Sequence, residues 1–167
     1  MTFKAINKKF YLSLMLVCAI FFLDRISKLY VLNFVEKNQT LDLFKSSYLN
    51  ITLIWNEGIA FGLFSFDKDY LYSLLSSLIA TIIMIILFMA IKSKGFKRYA
   101  LLVIFSGALG NLYDRFYYKA VPDFIDFHIG TFHWFVFNIA DIFITIGVIF
   151  MILLELIGNN RKTHEKI

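Results

Sequence analysis

The sequence predicts an all-α membrane protein: a four-transmembrane-helix bundle with a small extracytoplasmic β-sheet and an interfacial helix or loop. Three observations carry that prediction. Apolar residues make up 59% of the chain, with 20 Phe, a single Pro and a mean hydropathy of +0.71, far from soluble domains. Four windows, near 10–34, 70–91, 99–116 and 137–157, approach the roughly 20 apolar residues that cross about 30 Å of hydrocarbon at 1.5 Å per residue. Basic residues gather as Lys4, Lys8 and Lys9, as Lys92, Lys94, Lys97 and Arg98, and as Arg161, Lys162 and Lys166, all on one side of a four-span chain.

The first window follows three lysines, as a secretory signal would, but no small-x-small cleavage site follows it. The apolar run continues through DRISKLYVLNF, so a retained helix is expected. Its lone Cys18 permits no intrachain disulfide. Next, SYLNITLIWN (47–56) sets β-branched and aromatic residues in partial alternation, and TFHWFVF (131–137) does the same. Short strands are expected there, pairing into a sheet on the outer leaflet. Between them, GIAFGLFSFDKDY (58–70) has the glycines and aromatics of a segment lying in the membrane interface. The basic clusters place both termini and the middle loop in the cytoplasm and turn 35–69 and 117–136 outward. No repeat or low-complexity tract divides the chain, so 1–167 is expected to form one domain. The net charge of +5 resides mostly in these flanking clusters and needs no nucleic-acid partner.

Polar residues inside the spans point to a site. Counted from the cytoplasmic end of each helix, Asp24 lies about 21 Å up, Asp114 about 22 Å and Asp141 about 24 Å. Lys28, Asn111, Arg115 and Asn138 fall near the same level, and Asp24 and Lys28 share a helix face at four-residue spacing. Snorkelling helix ends or a structural polar network would be the plainer account of any one of them. A carboxylate such as Asp141 within a span costs roughly 2.5 to 3.5 kcal/mol, however, and a whole set at one depth marks a pathway or an active site.

Absences narrow the chemistry. The chain has no H-E-x-x-H, no G-x-S-x-G and no paired cysteines, which disfavours a zinc protease, a serine nucleophile and a thiolate site. His128 and His133 are five apart in an outer loop, a weak metal-ligand spacing, and His164 sits in the basic tail. Two nearby carboxylates remain: sharing one proton, one activates water while the other polarises a carbonyl, with no metal and no cofactor. Asp123, Asp114 and Asp126 are each open as the partner of Asp141. Asp114 is the one expected to pair with the adjacent Arg115. A small transporter, or a metal-dependent enzyme of lipid headgroups, would use a similar carboxylate and arginine cluster.

Five segments carry a family likeness: DRISK (24–28), NEGIAFG (56–62), GALGNLYDR (107–115), VPDFIDF (121–127) and FNIAD (137–141). Through them the chain resembles the lipoprotein signal peptidases, the type II signal peptidases of bacterial inner membranes, over nearly its whole length. The resemblance implies an aspartyl endopeptidase that cuts prolipoproteins before a diacylglyceryl-modified cysteine, with Asp123 and Asp141 as the catalytic pair. It further implies that Asn56, Gly58, Asn111, Asp114, Arg115 and Asn138 line or orient the site, and that Asp24 and Lys28 support it. It implies a small extramembrane sheet and a mobile outer helix, a multi-pass inner-membrane location and an active site toward the outer face. The expected partners are modified prolipoproteins and membrane lipids, and the expected state is a monomer. Ser106 stands where the family commonly has Gly, and Pro122 where it commonly has a β-branched residue. Neither change removes a chemical group.

Overall fold

The computed structural model describes residues 3–58 and 69–164, with side chains over 8–58 and 70–158. In chain order the elements are α1 (Phe3–Asn38), β1 (Asp42–Lys45), β2 (Leu49–Asn56), α2 (Asp69–Lys92), α3 (Gly95–Tyr118), β3 (Val121–Ile129), β4 (Phe132–Phe137) and α4 (Ile139–His164). Each expected window falls on one helix, except that residues 137 and 138 of the fourth precede α4. Three helices are long and apolar enough to cross a membrane: Lys8–Asn38, Tyr70–Lys92 and Ile139–Gly158. α3 is of similar length, but Lys97, Arg98, Asp114 and Arg115 lower its hydropathy. Only 11% of the α4 span is buried within the protein, so its apolar surface must be covered by lipid.

The helices pack through small residues where their backbones approach most closely. A Cβ added at Gly107 would lie 2.5 Å from the Ala140 carbonyl oxygen of α4, and one at Gly110 would lie 2.6 Å from Asp24 Oδ2 of α1. Ser106 is fully buried beside them and back-bonds to the Leu102 carbonyl, so the small-for-small exchange preserves the close approach. Apolar clusters complete the frame. Ile83, Phe105 and Leu112 join α2 to α3, while Val31, Leu53 and Phe124 fasten the sheet to α1.

The four strands form one antiparallel sheet in the order β1-β2-β3-β4. The two expected strands are present as β2 and β4, but they do not pair with each other. β3 lies between them, a strand that the presence of Pro122 and two aspartates concealed. Pro is tolerated because Pro122 pairs only with Trp55 of β2, whereas β4 joins β3 from Ile125 onward, so no ladder hydrogen bond on that side is lost. A two-residue turn closes β3 onto β4, and Gly130 supplies the positive φ of +60° that such turns require. Of the expected interfacial segment, residues 59–68 lie outside the described residues, and Asp69 and Tyr70 open α2. The side chains of Lys4, Arg161, Lys162, His164 and Lys166 also lie outside them.

Candidate active site

The site is built at the start of α4. Asn138 ends the extended stretch from β4 and caps the helix: its Oδ1 accepts the N–H of Asp141 at 3.2 Å, and Asp141 Oδ2 accepts the N–H of Asn138 at 3.1 Å. This reciprocal pair is a capping box with aspartate in the third helical position. Asp141 therefore stands in the first turn of α4, at the positive end of the helix dipole, rather than several residues inside a span that begins at 137.

The same Asn138 reaches Asp123. Its Nδ2 donates to Asp123 Oδ1 at 2.6 Å, and Asn56 Nδ2 donates to Asp123 Oδ2 at 2.9 Å. Asn56 is itself oriented, because its Oδ1 accepts the Gly58 N–H at 3.0 Å. On the other acid, Asn111 Nδ2 donates to Asp141 Oδ1 at 2.8 Å. All four carboxyl oxygens of Asp123 and Asp141 thus accept an amide N–H, which fixes both groups without neutralising either by a cation. Burial and the charge of Asp141 push the Asp123 carboxyl up to about 6, against the opposing hydrogen bonds from Asn56 and Asn138.

Asp123 and Asp141 line one cavity of about 170 Å³, together with Asn56, Asn111 and Arg115. Phe135 and Thr145 are among its other lining residues; sequence reasoning missed both, although Thr145 follows Asp141 by one helical turn and so shares its face. Arg115 donates to the carbonyls of Gly58 at 3.0 Å and Asn111 at 3.3 Å, tying the chain after β2 to α3.

Asp114 takes no part in the cavity, and the expected pair with Arg115 is absent. Successive helical residues point about 100° apart, so Asp114 turns toward α1 instead. There Arg25 and Lys28 reach both Asp24 and Asp114: Arg25 lies 2.8 Å from Asp24, while Lys28 lies 3.0 Å from Asp24 and 2.6 Å from Asp114. Arg25 was not anticipated, because a neighbour of Asp24 in sequence does not share its helix face; its long stem bends back, and its guanidinium sits 4.8 Å from the Tyr113 ring centre. This buried tetrad connects to the cavity at two points. Lys28 donates to Asn111 Oδ1 at 2.8 Å, which directs the Asn111 nitrogen toward Asp141, and Asp24 accepts the Ala140 N–H at 3.1 Å.

Asp126, three residues after Asp123 on a strand, falls on the opposite face. It meets His133 Nδ1 at 2.8 Å and Asn50 Nδ2 at 3.2 Å, and the His133 ring stacks on His128 at 5.0 Å. Of the three possible partners of Asp141, only Asp123 shares its cavity.

A family model of signal peptidase (SPase) II matches residues 16–157 of the chain. The chain belongs to the signal peptidase II family. Curated relatives agree. The lipoprotein signal peptidase of Pelagibacter ubique is 52% identical over 95% of this chain and 96% of its own length, and that of Anaplasma phagocytophilum is 45% identical over 80% and 85%. Among solved structures, one described as a bacterial membrane enzyme determined by the in meso method at 2.3 Å resolution superposes with a TM-score of 0.69. It is 30% identical and covers 90% of both chains. Family membership marks this chain as a protease, embedded in the membrane by its apolar helices.

Proposed function

We propose that the chain is an aspartyl endopeptidase that removes signal peptides from prolipoproteins by cutting before the diacylglyceryl-modified cysteine. The carrying observation is that Asp123 and Asp141, from a strand and a helix start, face one cavity with every carboxyl oxygen held by an amide donor. Two buried carboxyls so placed share one proton, and the titration belongs to the pair. In the proposed reaction the ionised Asp141 takes a proton from water as its oxygen attacks the scissile carbonyl. The protonated Asp123 gives its proton to the carbonyl oxygen, forming a neutral gem-diol. Collapse returns the Asp123 proton from the diol and passes the Asp141 proton to the leaving nitrogen, restoring the starting state. Arg115 positions the segment after β2 and takes no part in proton transfer.

In this reading α3 is a fourth span, 1–167 act as one unit in the bacterial inner membrane, and both termini are cytoplasmic. Supporting that orientation, Lys8, Lys9, Lys92, Lys94, Lys97 and Arg98 all lie at the bundle end away from the sheet. The cavity then sits beneath the outer face, where a lipid-anchored cysteine presents its peptide bond without withdrawing its acyl chains from the bilayer.

The deciding experiment assays Asp123→Asn and Asp141→Asn on a diacylglyceryl-modified prolipoprotein. Each is expected to lower turnover by roughly 10³-fold or more while remaining inserted and folded. Near-normal turnover in either variant removes that residue from the mechanism. A chelator arm separates the metal-dependent alternative, since the proposed dyad cleaves at an unchanged rate in EDTA.

A further inference from the structure

At the opposite end of the bundle, the start of α1 and the turn from α2 into α3 border an open cleft of about 420 Å³. Its walls carry Lys9, Lys92, Lys94 and Arg98, with Phe10 and Tyr99 between them. Among the described residues, no ion pair involves any of these four cations. The Arg98 Nε is buried and has no hydrogen-bond partner among them.

The start of α3 makes this arrangement electrostatically incomplete. A helix leaves its first four N–H groups open and presents the positive end of its dipole there. Here the N-cap is Lys94, which makes no side-chain capping bond, and the first turn contains no acid; instead it contains Lys97 and Arg98. Like charges have been gathered at a pole that favours anions. A bias of basic residues toward one membrane face explains charged helix ends, but not four cations converging on a cavity over an uncapped helix. The cavity also adjoins lipid, since the exposed Phe10 and Ile91 continue the apolar outer surfaces of α1 and α2.

We propose that this cleft binds the phosphodiester headgroup of one anionic phospholipid, with its acyl chains lying along α1 and α2. The headgroup oxygens supply the negative charge that the cations and the α3 N-terminus lack, as in other basic pockets between membrane helices. The site is remote from the carboxylate cavity and does not depend on the peptidase reading.

The test titrates the delipidated full-length chain in detergent with short-chain phosphatidylglycerol, with phosphatidylcholine of equal chain length, and with inorganic phosphate. Binding is read by native mass spectrometry. One saturable phosphatidylglycerol per chain is expected, with no comparable binding of phosphatidylcholine and no displacement by phosphate at equal concentration. Lys94→Gln with Arg98→Gln should weaken binding roughly thirty-fold, each cation near an anionic headgroup contributing roughly five-fold. Lys8→Gln with Lys97→Gln removes equal charge from outside the cavity wall and should leave binding unchanged. Equal binding of phosphatidylcholine, retention by the Lys94 and Arg98 variant, or equal loss in both double variants overturns the proposal. Displacement by phosphate at equal affinity overturns its lipid half. If the first double variant misfolds, amine acylation of Lys94 in the natural chain decides. Phosphatidylglycerol should slow that acylation and phosphatidylcholine should not, and equal rates overturn the site.

Discussion

Burial, and next the charge of Asp141, push the Asp123 carboxyl from its ordinary value of 3.8 up to about 6. That shift has a sign. An acid whose folded value is raised binds more protons when folded than when unfolded across the interval, so stability falls as pH rises from near 4 to past 6. The difference is worth about 3 kcal/mol, fully lost above the folded value and regained in acid. Asp123→Asn cannot ionise and should escape this loss, apart from a constant offset where its new amide meets Asn56 Nδ2. Thermal unfolding of both proteins in detergent from pH 4 to 8 checks this: the variant should gain on the natural chain as pH rises, and a pH-independent difference would contradict it. At this scale the sequence was informative about which residues are unusual, since a carboxylate in an apolar run stands out. It was less informative about partners. Asp114 and Arg115 are adjacent in sequence yet face different helices, and Asp123, Asp114 and Asp126 become distinguishable only once strand and helix faces are known.

Among the elements, the α4 start does two jobs with one residue. Asn138 caps the helix by its Oδ1 and backbone N–H and steadies Asp123 by its Nδ2. Substitutions can separate those roles. Asn138→Ser keeps a capping oxygen, so stability should change by only a few tenths of a kcal/mol from the helix end, whereas Asn138→Ala should lose about 1 kcal/mol. Ala has no donor, and the shorter Ser hydroxyl at the cap does not replace the Nδ2 that reaches Asp123, so both should lose activity by roughly 10- to 100-fold, the worth of a hydrogen bond to the carboxylate that Asp123 becomes on giving up its proton. Equal activity of the Ser variant and the natural chain would show that the Asp123 contact is dispensable. The helices were legible because length and continuous hydropathy are local properties. β2 and β4 were legible through their alternation. β3 was hidden because its first four residues are all buried, which erases the alternation, and because Pro122 argues against a strand unless the missing neighbour on that side is known. β1, four residues long, carries too little pattern to register.

For the molecule as a whole, the buried tetrad of Asp24, Arg25, Lys28 and Asp114 locks α1 to α3, and Asp24 extends it to α4 through the Ala140 N–H. Its two acids and two bases balance within a buried space, where Asp24, Lys28 and Asp114 are almost wholly enclosed. Lys28→Met leaves two carboxylates with one guanidinium and should destabilise by about 3–5 kcal/mol. Adding Asp114→Asn restores the balance and should recover most of that loss, a coupling that unfolding measurements on the single and double variants would reveal; simple additivity would exclude it. Charges at matching depths announced this network in the sequence, but its connectivity depends on how three helices turn about their axes, which no local pattern records.

The joining of β2 to β3 carries a consequence for how the protein is made. Asn56 and Asp123 are 67 residues apart, and the whole α2–α3 hairpin must be synthesised before they can meet. Chains emerge N-terminus first, so β2 waits with an unfilled edge while the ribosome completes the hairpin. Both acids of the cavity arrive late, after α1, α2 and α3 have been synthesised. Under the proposed mechanism, a copy truncated by a stalled ribosome before Asp123 lacks both acids and cannot cut the proteins around it, so cutting is a property the growing polypeptide acquires late.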